Sequence, residues 1–393
     1  MDPIFGNLTI ENFRGIKQLS LNNLSNLNII TGDNNSGKTT FLEALMILTQ
    51  NANIGNIFRI LKIRENKGVV RPFSRELDDF KILEYMFNVS QNKDNLKVKI
   101  YSSNDKIEYL FQLEGKMEKI FVDSEVIEKY LKKSRRFWDL LDNKDSIIID
   151  EETLNFEGVY KFINDKESSN DLQLELFELN DEKIKTNKIT ANKFNINKLI
   201  MDNKRSVNKI NYHFISSIDH VLKNDMEFIF KIESFKTEVV GLLKIFDNDI
   251  EDILITKENN NYVNCIKCKN KGVIPLSLYG DGIKKVIILA DGIIRAKNGV
   301  LLIDEIETSI HKRVMKDLFS WLVKASNHYN VQLFITTHSL EVVDEFLDVN
   351  NESYFNETRI VTIHNNKDST IARVLSGEEA SSLRENFNME LRK

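Results

Sequence analysis

Leu27-Asn28-Ile29-Ile30-Thr31-Gly32-Asp33-Asn34-Asn35-Ser36-Gly37-Lys38-Thr39 is the stretch that decides the fold of this chain. An apolar run enters a loop bounded by glycines, and the loop ends in Lys-Thr. The spacing satisfies G-x-x-x-x-G-K-[ST] at every fixed position. After the loop, residues 39–49 are apolar on nearly all sides and contain no breaker, which predicts a helix buried at the centre of a domain. Strand, loop and helix together make a phosphate cradle. Backbone N–H groups wrap the anion and the helix N-terminus adds a favourable dipole. Lys38 is expected to reach the β and γ phosphates, and the Thr39 hydroxyl to serve Mg²⁺. Asn34, Asn35, Ser36, Gly37, Lys38, Thr39 and Thr40 are therefore the candidate nucleotide-binding residues of this segment.

Further along, Val300-Leu301-Leu302-Ile303-Asp304-Glu305 is an apolar strand ending in two carboxylates. Asp304 is expected to hold Mg²⁺, largely through water, because that ion keeps much of its hydration. Glu305 would then polarise the attacking water. A later apolar strand, Gln332-Leu333-Phe334-Ile335-Thr336-Thr337-His338-Ser339, ends in a histidine. Strand ends at one edge of a parallel sheet converge on the ligand crevice, so His338 is expected at the γ phosphate. Leu276-Ser277-Leu278-Tyr279-Gly280-Asp281-Gly282 precedes the helix that leads into the Asp304 strand. Two glycines at a helix start can present bare N–H groups to an anion; alone, the segment is a turn signal.

In this order the motifs resemble those of ABC-type ATPase heads of the OLD group and its AAA-domain relatives, and more distantly RecF, SMC and Rad-type repair heads. The residues that carry the likeness are Ile10-Glu11-Asn12-Phe13-Arg14-Gly15, the loop from Gly32 to Thr39, Gly280-Asp281-Gly282, Leu302-Ile303-Asp304-Glu305-Ile306-Glu307, His311 and Thr336-Thr337-His338-Ser339. The resemblance implies an ATPase whose two nucleotides are sandwiched between two heads. It implies that Asn12, Phe13 and Arg14 join the nucleotide site, that Gly280, Asp281 and Gly282 serve the partner's site in trans, and that residues 307–311 line the dimer seam. Two features depart from the pattern: Ser277 lies further from Gly280 than the signature serine of the family does, and no Q-loop is evident, Gln50 and Gln91 being the nearest glutamines.

The rest of the chain bounds the reading. Alternating apolar and β-rich segments imply an α/β P-loop domain with an antiparallel β subdomain. Residues 1–118 form its N-terminal part, 211–393 its C-terminal part with the signature-like loop, Asp304 and His338, and 119–210 a mostly helical insertion, with helical pattern at 126–141. The formal charge of -5 gives no global pull toward nucleic acid. Local basic stretches exist at 132–138, which includes Lys132 and Arg135, and at 183–209; either reads more simply as a solvated face. Cys265 and Cys268 have C-x-x-C spacing without the second pair a structural zinc needs. No run approaches the roughly 18 apolar residues of a spanning helix, and the start is not that of a signal peptide, so a cytoplasmic protein away from membranes is expected.

Absence of an N-K-x-D base reader favours ATP over GTP. Three functional classes follow. The first is an ATPase whose dimerisation or higher assembly controls a separate effector such as a nuclease, in bacterial antiviral defence. The segment after His338 is too short for the TOPRIM nuclease of many OLD relatives and has no D-x-D, so no nuclease activity is expected in this chain. The second is a DNA-binding repair or chromosome-maintenance ATPase, for which the sustained heptads of SMC arms are missing. The third, a transporter ATPase, would show a regular signature and a Q-loop.

Overall fold

In a computed structural model the described residues are 2–49, 54–62, 85–92, 94–122, 149–164, 172–176, 188–191, 210–222, 226–258, 261–349, 355–366 and 369–392. The phosphate-loop strand, β3 (Leu27–Thr31), follows the antiparallel pair β1 (Asn7–Phe13) and β2 (Ile16–Leu21). It leads through the loop into α1 (Lys38–Thr49) and, beyond it, α2 (Ile54–Lys62). A run of strands comes next: β4 (Leu96–Ser103), β5 (Ile107–Val122), β6 (Ile149–Asn164), β7 (Leu172–Leu176), β8 (Lys188–Ala191) and β9 (Tyr212–Ile215). Two helices follow, α3 (Asp219–Leu222) and α4 (Glu233–Leu243), then the three-stranded meander β10 (Ile250–Glu258), β11 (Asn261–Cys268) and β12 (Gly272–Pro275). The last third alternates α5 (Asp281–Arg295), β13 (Gly299–Ile303), α6 (Lys312–His328), β14 (Val331–Thr336) and α7 (Leu340–Val349), and closes with β15 (Thr358–Asn365), β16 (Thr370–Ser376) and α8 (Gly377–Phe387).

The central sheet has the order β16-β15-β3-β14-β13-β9. Its first five members in space from β9 to β15 run parallel, and β16 turns back antiparallel on β15. β3, β13 and β14 are buried at every position, which is why they read as unbroken apolar runs rather than alternating ones. The second sheet is antiparallel, ordered β2-β1-β4-β5-β6-β7, with β8 also paired to β6. α1 lies between the two sheets, touching β1, β4 and β5 on one side and β14 on the other. That sandwich explains its apolar circumference: a helix wet on no side needs no polar stripe. Each of its fully buried side chains such as Phe41, Leu42 and Leu45 contributes on the order of 1.5–3 kcal/mol. The start of the chain is clasped to the sheet by buried Gln332, whose Oε1 accepts from the Phe5 amide at 2.9 Å while Nε2 donates to the Phe5 and Ser25 carbonyls.

Of the insertion expected over 119–210, the described residues 119–122, 149–164, 172–176 and 188–191 are strand. β5 continues to Val122 and pairs with β6 along its whole length, so a boundary after Glu118 would cut a strand. The signal was present: Leu154, Phe156, Tyr160 and Phe162 recur at even spacing, the period of a strand, with the aromatics that pleated surfaces favour. Charged residues in both registers, Asp150 and Glu152 as well as Glu151, Glu157 and Lys161, and apolar ones at Ile149, Val159 and Ile163 blur that alternation. The expected helix at 126–141 and the basic stretch at 132–138 lie outside the described residues, and of 183–209 only β8 lies inside them.

Candidate functional site

The phosphate loop is held in shape by backbone that only particular residues adopt. Gly32 has φ 144°, and a Cβ there would stand 2.2 Å from the Ile363 carbonyl oxygen of β15. Asn35 at φ 64° and Gly37 at φ 101° complete the left-handed turns that bring amides to one side. Lys38 begins α1, and its Nζ donates to the carbonyls of Gly32 and Asp33 at 2.8 Å each. The ammonium thus lies across the mouth of the loop, where phosphate oxygens can replace those carbonyls. Burial holds its pKa below the ordinary lysine value, while Glu305, Asp304, Glu307 and Asp33 act the other way.

The register of β13 and β14 aligns Ile303 with Ile335, so Asp304 and Thr336 emerge side by side at the sheet edge beyond the loop. Asp304 is buried and its two carboxylate oxygens take the Thr39 hydroxyl at 3.2 and 3.3 Å. Thr336 Oγ1 donates to Asp304 and accepts from the Glu305 amide. Glu305 has φ 48°, a left-handed turn that swings the chain out of the strand into residues 307–311. His338 Nδ1 stands 3.0 Å from Glu307 Oε1, the oxygen that also accepts the His338 amide, and the imidazole is half exposed. His311 caps α6, accepting from the Arg313 amide at 3.2 Å. Lys38, Thr39, Asp304, Glu305 and His338, widely spaced in sequence, therefore meet at one edge.

Gly280, Asp281 and Gly282 open α5, with Gly280 and Asp281 exposed. Gly282 packs on the residue 307–311 turn; a Cβ there would lie 3.1 Å from the Ser309 carbonyl oxygen. Ser277 is exposed in the short 3₁₀ turn before it. Thr40 is buried in α1.

The tripeptide Asn12-Phe13-Arg14 ends β1 and enters the turn to β2. Phe13 is in the core, and the Arg14 guanidinium donates to Glu43 of α1 at 3.1 Å and to the Leu61 carbonyl at 3.0 Å. The Asn12 carbonyl accepts the Asn88 amide. The neighbours that face the loop are Gly15 and Lys17, which with Asp33, Asn34, Asn35, Ser36, Asn88, Val89, Ser90 and the β15–β16 turn line a cleft of about 490 Å³. Lys17, Asn88 and the turn residues His364 and Asn365 were not legible as site residues, because each comes from a separate turn and no local spacing links them. Gln50 lies outside the described residues, and Gln91 accepts the Lys97 amide at 2.6 Å. The Cys268 thiol lies 2.8 Å from the Tyr279 hydroxyl and the Cys265 thiol 3.3 Å from that of Thr256, so the two sulfurs serve different neighbours.

A profile of the family described as "AAA domain, putative AbiEii toxin, Type IV TA system" matches residues 27–344. An "ATP/GTP phosphatase" of Helicobacter pylori is 24% identical over 394 residues, covering 96% of this chain and 97% of that protein. A segment of 56 residues is 41% identical to the DNA replication and repair protein RecF of Nitrosococcus oceani, 14% of either chain. Among solved structures, an Smc head bound to the C-winged helix domain of ScpA superposes with a TM-score of 0.50 at 12% identity, covering 96% of this chain and 100% of that one. The fold is thus that of an SMC-type ATPase head.

Proposed function

The chain belongs to the AAA-domain family of the putative AbiEii toxin and type IV toxin–antitoxin systems, a P-loop ATPase family, and from that premise we propose that it hydrolyses ATP at a site completed by a second copy, the assembly so formed controlling a separate effector in antiviral defence. The observation that carries the hydrolytic part is the meeting of Lys38, Thr39, Asp304 and Glu305 at one sheet edge. The full-length similarity to an ATP/GTP phosphatase supports it.

Lys38 exchanges its loop carbonyls for β and γ phosphate oxygens, and the loop amides take the rest of that charge. The Thr39 hydroxyl and Asp304 carboxylate, already in contact, are the hard oxygen donors that suit Mg²⁺, which neutralises phosphate charge when bound. Glu305, held at its turn by the Thr336 hydroxyl, orients and deprotonates the attacking water. His338, braced on Glu307, adds a hydrogen bond to the γ phosphate. Asn34, Asn35, Ser36 and Gly37 wrap the phosphates, and the cleft beside Lys17 accommodates the nucleoside. The segment 280–282, exposed at Gly280 and Asp281, is the part offered to the partner's γ phosphate.

Glu305→Gln tests both halves of the reading. With ATP, the variant should release no phosphate and shift by light scattering to a dimer or larger species. Wild-type turnover in that variant, or an unchanged mass, would refute it. A second reading, a DNA-binding repair or chromosome-maintenance ATPase, draws on the RecF-like segment. Salt-dependent retention on DNA, weakened by Lys132 and Arg135 substitutions, would favour it.

A further inference from the structure

Lys285 lies one turn into α5, is fully buried, and its Nζ has no hydrogen-bond partner among the described residues. An ammonium in that state is costly to keep, so its presence calls for a benefit elsewhere. Around it, α3 packs against α5. The Asp219 carboxylate of α3 accepts the Ser216 amide and hydroxyl at 3.0 and 2.7 Å. His220 beside it bonds the Ser309 hydroxyl at 2.8 Å, and the Ser309 carbonyl sits under Gly282. The start of α5, α3 and the turn after Glu305 therefore form one packed unit, with Lys285 inside it.

We propose that Lys285 is a positioning residue, an interior cation through which the 280–282 segment is coupled to the Asp304, Glu305 and Glu307 carboxylates of its own chain; the proposal rests on the ATPase reading above. Three carboxylates crowded at one strand end repel one another, and a fixed positive charge on the helix behind them offsets that repulsion and sets their spacing. Burial lowers the Lys285 pKa to about 8, against the pull of Asp219, Glu307, Asp304 and Glu305; His220, on the helix α3 that packs against α5, feels the same charge and is pushed down by it after its own burial. Because Lys285 is carried by the helix whose N-terminus would touch the partner's nucleotide, a displacement of that N-terminus moves the charge relative to Glu305.

The test compares full-length wild type, Lys285→Met and Lys285→Arg for phosphate release, binding of a fluorescent ATP analogue and thermal midpoint. Met keeps the volume of the buried lysine and removes its desolvation cost, which opposes the attraction to the acids that is lost with it, so the two roughly cancel in stability. Lys285→Met should thus melt near wild type and keep its KM and analogue affinity within about threefold, yet lose about tenfold or more in kcat, with partial recovery in Lys285→Arg. A kcat within about twofold of wild type overturns the proposal, as does a loss of kcat that tracks a lowered midpoint and weakened binding. If Lys285→Met does not fold, Lys285→Gln is read by the same criteria. Wild-type protein that releases no phosphate would instead overturn the ATPase reading, and this proposal with it.

Discussion

The hydroxyl of Thr336 donates to Asp304 Oδ1 at 2.8 Å and accepts the amide of Glu305 at the same distance. One side chain on β14 thereby holds the Asp304 carboxylate and the Glu305 backbone at the end of β13. Thr336→Val keeps the volume and removes both bonds. It should cost about 1–3 kcal/mol in chemical denaturation, since a buried carboxylate and an amide each lose a partner. It should also lower kcat by about 10–100-fold as Glu305 drifts from the water. Wild-type turnover at unchanged KM would show that Glu305 is fixed by other contacts.

Lys38→Ala should abolish measurable phosphate release and weaken ATP binding by about tenfold or more, because the ammonium facing the loop is gone. The Gly32 carbonyl, whose bond to Nζ is buried, loses its donor, so a modest fall in the thermal midpoint should accompany the loss of binding. Isothermal titration calorimetry with ATP reads the affinity directly; full-strength binding would remove Lys38 from the phosphate site.

Gly32→Ala places a methyl carbon within 2.2 Å of the Ile363 carbonyl oxygen, in a backbone conformation that L side chains avoid. Either the loop or β15 must move. A stability loss above about 2 kcal/mol is expected, together with loss of nucleotide binding. Differential scanning fluorimetry showing a wild-type midpoint would mean that the loop is more compliant than its packing implies.

Arg14→Met tests which task the guanidinium performs. Glu43 is fully buried and ion-paired with Arg14, so the single variant should lose about 3–5 kcal/mol, and Arg14→Met with Glu43→Leu should regain most of it. Urea titration of the three proteins decides the matter. Undiminished stability with weakened ATP affinity would return Arg14 to the nucleotide site.

Much of the candidate site at the sheet edge was legible because its parts are local: a loop with fixed spacing, and strands that stop in Asp-Glu or in histidine. Buried parallel strands have no alternation to misread, so β3, β13 and β14 stood out. The Arg14–Glu43 ion pair was not legible, because Glu43 sits in an apolar helix where nothing in the spacing marks it as a salt-bridge acceptor. Lys285 reads as one of two surface lysines in Lys284-Lys285, and only the helix face that packs on α3 tells them apart. The β6 hairpin was missed for a different reason. Charged residues occur in both registers of β6, three of them consecutive at 150–152, and a composition rich in Lys, Asn and Glu outweighs a period of two when segments are judged by content.

β3 ends at Thr31, whereas its two neighbours in the sheet begin at Val331 and Thr358. A ribosome therefore delivers the loop first and the strands on either side of it last. During most of synthesis that strand is a sticky edge with nowhere to dock. Nascent chains truncated before β14 should be caught by chaperones and hold no ATP, so the cell can possess this enzyme only as a finished chain, never as an active fragment of its front half.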